Sequence, residues 1–143
     1  MTPVVIDTGV LVAGVFWRNE PHQCVKAWLR GFFALVVSEP IFHEYERVLT
    51  EVKAEQQAST DLAPWLITIR NSAQWITPEP LIHRVCRDPN DDKFIEAALA
   101  ANARVVIARD PDLTDLEKPF GVEIVTPRQF LARLPRSIRR KLE

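Results

Sequence analysis

The chain has 143 residues, of which 47% are hydrophobic and 26% charged, and a formal net charge of −1. This suits one soluble domain that buries its own core without disulfide or metal staples. It excludes a disordered or collagen-like chain, and also a globally basic one, so any contact with nucleic acid has to come from a local patch.

Four short, continuous apolar runs read as buried strands of a parallel sheet: 4–6, 35–37, 105–107 and 124–125. Between them lie segments of helical character. Residues 22–30 carry Val25, Trp28 and Leu29. Residues 38–54 open on Ser38 as N-cap with Pro40 in the first turn, and Ile41, Tyr45, Val48, Leu49 and Val52 follow helical spacing. Residues 62–71 repeat Leu62, Leu66 and Ile69, and the alanine-rich 94–102 carries Phe94, Ile95, Ala98 and Leu99. Residues 127–134 form a last helix with Thr126 as N-cap. No strand is expected between Val37 and Val105. Strands alternating with helices predict an open α/β sheet with helices on its faces. Residues 1–134 read as one domain and 135–143 as a basic C-terminal tail.

The cysteines Cys24 and Cys86 share no ligand spacing and are expected as buried small apolar residues. No apolar run approaches the ~18 residues of a membrane span. The opening MTPVVIDTGV has no basic, then apolar, leader pattern, so the expected compartment is the cytoplasm.

Ligands of an open parallel sheet bind at the carboxyl ends of its strands. Asp7 follows the first strand, and Asp110 follows the third with Asp112 two residues on. Aspartates at two strand ends have to be offset by something cationic, which suggests a metal, although Asp7 also suits a helix N-cap. Glu44 borders the apolar stripe of Ile41, Tyr45 and Val48. In Asp88-Pro89-Asn90-Asp91-Asp92, Asp88 is a natural N-cap, Asp91 shares a face with Ile95 and Ala98, and Asp92 lies one position round. Asp91 is the preferred inward acid and Asp92 its competitor.

Other readings fail. An EF-hand loop starting at Asp88 would place Lys93 where Gly is needed and Leu99 where Glu is needed. The histidines His22, His43 and His83 share no ligand spacing, and a Gly-rich phosphate loop is missing.

With Asp7, Glu44, Asp91 and Asp110 in this order, the chain resembles a PIN domain, and most closely the VapC-like toxin components of toxin–antitoxin systems. The matching segments are VVIDTGVLVAGVF, VVSEPIFHEYERVL, RDPNDDKFIEAALAANARVVIARDPDL and EIVTPRQFL. The resemblance implies a three-layer α/β/α fold with a mostly parallel sheet and a metal-dependent endoribonuclease. It puts Asp7, Glu44, Asp91 and Asp110 in the catalytic places. Asp92 and Asp112 join them as metal-ligand candidates, the first as an alternative to Asp91 and the second as an accessory acid. The cofactor it implies is Mg²⁺, with Mn²⁺ as substitute, which suits an all-carboxylate donor set. It further implies an RNA substrate, an antitoxin partner and a homodimer. Candidate phosphate donors are Lys93, Arg104, Arg109 and Arg128, with Arg87 beside the acidic run, and Trp17 is a candidate stacking residue. The chain departs from the family at Gly9, where Asn or Ser is usual, and at Ala108 and Arg109, where polar groups usually precede the fourth acid. These departures leave open a catalytically weak binding module, and the sequence does not separate a toxin from a housekeeping RNA-processing nuclease.

Overall fold

The computed structural model describes residues 1–116 and 118–143. Its centre is a five-stranded sheet in the order β3-β2-β1-β4-β5. The strands are β1 (Pro3–Ile6), β2 (Ala34–Val37), β3 (Gln74–Trp75), β4 (Val105–Ile107) and β5 (Glu123–Val125). Every pairing is parallel; Val4, for example, lies between Leu35 of β2 and Val105 of β4. Helices flank the sheet, as expected for the α/β class.

The strands form where the apolar runs predict them, because a parallel strand covered on both faces has no polar side to present. Val5, Ile6, Leu35, Val36, Val37, Val106 and Ile107 are all buried. Strand β3 corrects the expectation of no strand between Val37 and Val105. It has two residues and pairs at the sheet edge with Val36 and Val37. So short a segment carries no alternation to read.

Eight helices are described: α1 (Thr8–Phe16), α2 (Glu20–Leu29), α3 (Glu39–Gln56), α4 (Leu62–Ser72), α5 (Asp92–Ala100), α6 (Pro111–Thr114), α7 (Pro127–Ala132) and α8 (Arg136–Leu142). Ser38 caps α3 by accepting the Ile41 N–H. Thr126 and Gln129 form a reciprocal capping box at the start of α7. Helix α1 lay hidden in the sequence because it is apolar nearly all round, with seven of its nine residues buried, so it has no polar face to set a period. It packs closely on α2 at Gly14. A Cβ there would lie 2.5 Å from Val25 Cγ2 and 2.8 Å from the Pro21 carbonyl oxygen.

The basic C-terminal segment is also a helix. Leu142 of α8 is only 2% exposed and Ile138 packs against the core. Cys24 and Cys86 are free and buried, as expected, and burial pushes the Cys24 thiol up to about 12. Among the described residues, no helix is long and apolar enough to cross a membrane.

The connections set the place of the site. From β1 the chain moves to β2 and then β3 on one side, then returns to β4 and β5 on the other side of β1. The strand order therefore reverses between β1 and β4, and a crevice opens at their carboxyl ends.

Candidate active site

Asp7 leaves β1 at that crevice. Its N–H donates to the Ile107 carbonyl of β4 at 2.9 Å, which ties the two strand ends together. Its Oδ1 accepts the Val10 N–H at 2.8 Å, so Asp7 is the N-cap of α1 as well as a site residue. The side chain is 4% exposed, and burial is the main reason its carboxyl is pushed up to about 6. The N–H groups of Val10 and Arg109 pull the other way, and the Asp110 charge adds to the rise.

Asp110 follows β4 and caps the short α6, its Oδ1 accepting the Asp112 N–H at 2.9 Å. That turn brings the Asp112 carboxylate back beside it. Asp91 approaches from the three-residue 3-10 turn Pro89–Asp91, which Asp88 caps through the Asn90 N–H. Asp88 does the capping, which frees the Asp91 side chain: it makes no cap bond to α5, and its Oδ2 is buried without a hydrogen-bond partner. Burial first, then the charges of Asp110, Asp88 and Glu44, push Asp91 up to about 6.

One carboxylate oxygen from each of Asp91, Asp110 and Asp112 lies within 4.8 Å of the other two. Asp91 and Asp110 also line a cavity of about 360 Å³ together with Asp7, Glu44 and Arg109. Two carboxylates are thus common to the tight cluster and to the cavity. A hard divalent cation fits this arrangement on three observations. The donors are all carboxylate oxygens, Asp91 has a buried and unpaired oxygen, and the carboxyls of Asp7 and Asp91 are raised to about 6 despite the nearby cations Arg109 and Lys93.

Glu44 enters from α3 and its two oxygens are held differently. Oε2 accepts from the Thr8 hydroxyl, and Oε1 faces Lys93 Nζ at 2.8 Å, with Arg47 Nη2 3.9 Å away. Lys93 is therefore paired with Glu44 in this structure. Neither Thr8 nor Lys93 stands out in the sequence as a partner of Glu44, although each directly follows a candidate acid.

The remaining candidates fall elsewhere. Asp92 faces away from the cavity: its carboxylate accepts N–H bonds from Val85 and from Cys86, the latter at 2.7 Å, and so pins the segment before α5. Arg87 pairs with Asp112 at 3.5 Å and with Asp115, at the outer side of the acidic cluster. Arg104 precedes β4 and so lies at the opposite end of the sheet from the site. Trp17 ends α1 and packs edge-on against Phe16. At Gly9 an added Cβ would meet only Asp7 Oδ1, at 3.9 Å, so the lost polar side chain leaves room beside the cluster. Ala108 is fully buried.

No curated protein matches the chain. The family model described as PIN domain matches residues 3–112, which takes in every acid placed at this site. The chain therefore belongs to the PIN-domain family, whose members are generally metal-dependent nucleases.

Proposed function

We propose that this chain is a Mg²⁺-dependent endoribonuclease that hydrolyses RNA phosphodiester bonds at the cavity between β1 and β4. The observation that carries the reading is the convergence of Asp91, Asp110 and Asp112 within 4.8 Å beside the cavity that Asp7 and Glu44 complete. Asp91, Asp110 and Asp112 would hold the ion from one side and Asp7 would face it from the β1 end. A divalent cation bound there supplies Lewis-acid polarisation of the phosphate and lowers the pKa of a water.

The protein's own groups do the rest. The Val10 N–H fixes Asp7 Oδ1, so this carboxylate needs no reorganisation when the substrate enters. Thr8 and Lys93 hold Glu44 at the cavity wall, and Lys93 offsets its charge so that one more acid is tolerated there. Arg109, exposed at the cavity mouth, faces an incoming phosphate. In the metal-free protein, protons compete with an ion for Asp7 and Asp91 at about pH 6 and below, since both carboxyls are raised to about 6. Among the described residues, no histidine lines the cavity.

The finer reading is that the enzyme is the toxin of a toxin–antitoxin pair, working as a homodimer in the cytoplasm and silenced by a protein partner. It is supported by the resemblance of its four motif segments to VapC-like toxins. Co-purification with the product of an adjacent gene, and relief of growth arrest by that product, is the expected result.

The catalytic reading is tested by incubating RNA with the purified chain in Mg²⁺, in Mn²⁺ and with excess chelator. Cleavage is expected with either metal and is abolished by the chelator, by Asp7→Asn and by Asp110→Asn. Undiminished cleavage by either variant would overturn the assignment.

A further inference from the structure

We propose that Arg109, Arg128 and the arginine face of α8 form a phosphate path that leads a single-stranded RNA out of the catalytic cavity. This rests on the nuclease reading above and extends it to how the substrate is held.

Three hollows follow one another on the surface and share residues at their borders. The catalytic cavity of about 360 Å³ ends at Arg109. Arg109 also lines a second hollow, of about 310 Å³, whose far wall is Arg128. Arg128 in turn lines a third, of about 470 Å³, together with Arg136, Arg139 and Arg140. Five arginines thus line a series of hollows that begins at the acidic cavity, each hollow sharing an arginine with the next.

Helix α8 is built to present this charge. Arg136, Arg139 and Arg140 stand at i, i+3 and i+4 and so share one face. Ile138 and Leu142, four residues apart, turn inward and dock the helix on the domain. Among the described residues, none of these five arginines makes a salt bridge, whereas Arg47, Arg70, Arg87 and Arg133 each do. Arg139 Nε is buried and has no hydrogen-bond partner. The carboxylates on the path are Glu20, in the second and third hollows, and Glu143, in the third, so the arginines outnumber the acids along it.

A polyanion of regular spacing fits this layout better than an acidic protein does. The path ends in a cluster of carboxylates that repels acidic side chains. A phosphodiester is drawn there by the metal that the cluster takes up, while neighbouring phosphates along the same strand meet arginines. A chain with net charge −1 obtains its nucleic-acid contact in this way from one local stripe.

The test uses the full chain carrying Asp7→Asn to prevent cleavage, in Mg²⁺, with fluorescently labelled single-stranded RNAs. One is a dinucleotide and the other is about 16 nucleotides long, near the upper site size of a single-strand groove. Arg136→Ala/Arg140→Ala, both exposed positions, is compared with the same chain further changed at Arg139→Ala, and with the Lys version of all three. The longer RNA is expected to bind more tightly than the dinucleotide. The triple Ala variant should lose about tenfold of that affinity, with the salt slope falling by about 2 (~0.7 per arginine), while dinucleotide binding stays unchanged and the Lys version recovers most of the loss. The double variant should show the same direction at intact melting temperature.

Unchanged affinity and salt slope for the longer RNA would overturn the path, as would equal competition by poly-glutamate, which would mark an acidic-protein surface instead. RNA cleavage by the wild-type chain is read separately. Its absence, with the length-dependent loss intact, would overturn the nuclease reading and leave the path standing.

Discussion

Lys93 Nζ lies 2.8 Å from Glu44 Oε1, with both side chains largely withdrawn from solvent and Glu44 lining the acidic cavity. The pair joins α3 to α5 and sets a cation among the carboxylates. Glu44 raises the Asp91 carboxyl and Lys93 lowers it, so the pair's two halves act in opposite senses on the same acid.

Removing Lys93 therefore leaves Glu44 beside Asp91 with only the more distant, exposed Arg47 to offset it. Lys93→Met should lower the melting temperature in chelator, and Glu44→Gln should restore part of the loss. The double-mutant cycle is expected to give a coupling of about 1 kcal/mol, above the value of a fully exposed pair. Additive losses would show that the contact carries no energy.

The raised carboxyls of Asp7 and Asp91 set a pH dependence. Both are pushed from 3.8 to about 6, so the folded state binds protons that the unfolded state has already released. Their contribution to stability is full below about pH 4 and is lost as pH rises through about 6. The metal-free melting temperature should fall between pH 5 and 7.5 for this reason, and less steeply in Asp91→Asn. Mg²⁺ or Mn²⁺ should raise it more at pH 7.5 than at pH 5, because protons compete for the same oxygens. Differential scanning fluorimetry across pH, with and without metal, reads both effects.

Two glycines of α1 should answer oppositely to substitution. At Gly14 a methyl group would fall 2.5 Å from Val25 Cγ2 and 2.8 Å from the backbone of Pro21, so Gly14→Ala should cost roughly 1–3 kcal/mol by overpacking. Gly9 has no neighbour closer than 3.9 Å to the same added atom, and Ala is the better helix former. Gly9→Ala should leave stability level or raise it by up to about 1 kcal/mol. Chemical denaturation separates the two, and equal losses would contradict the packing account.

Much of this was legible because two physical signals coincide in the sequence. Continuous apolar runs mark strands buried on both faces, and Asp7 and Asp110 stand where such runs end. Helix caps at Ser38 and Thr126 could be read from residue type alone. Helix α1 could not, since uniform burial erases periodicity, and α8 was concealed by its charge, since its two inward residues are outnumbered by arginines. The clasp on Glu44 was not legible either. Thr8 and Lys93 reach it from 36 and 49 residues away, distances over which only the folded sheet brings side chains together.

The adjacent acids Asp91 and Asp92 should separate function from stability. Asp91 has a buried, unpaired oxygen and lies in the cluster with Asp110 and Asp112, whereas Asp92 satisfies the Val85 and Cys86 N–H groups. Asp91→Asn removes a repelling charge, so it should raise the metal-free melting temperature while abolishing the metal-induced rise and RNA cleavage. Asp92→Ala leaves buried N–H groups without an acceptor and should cost about 1–3 kcal/mol. At temperatures where that variant stays folded, it should keep the metal response. If Asp92→Ala instead lost the metal response at full stability, the two acids would have to exchange roles.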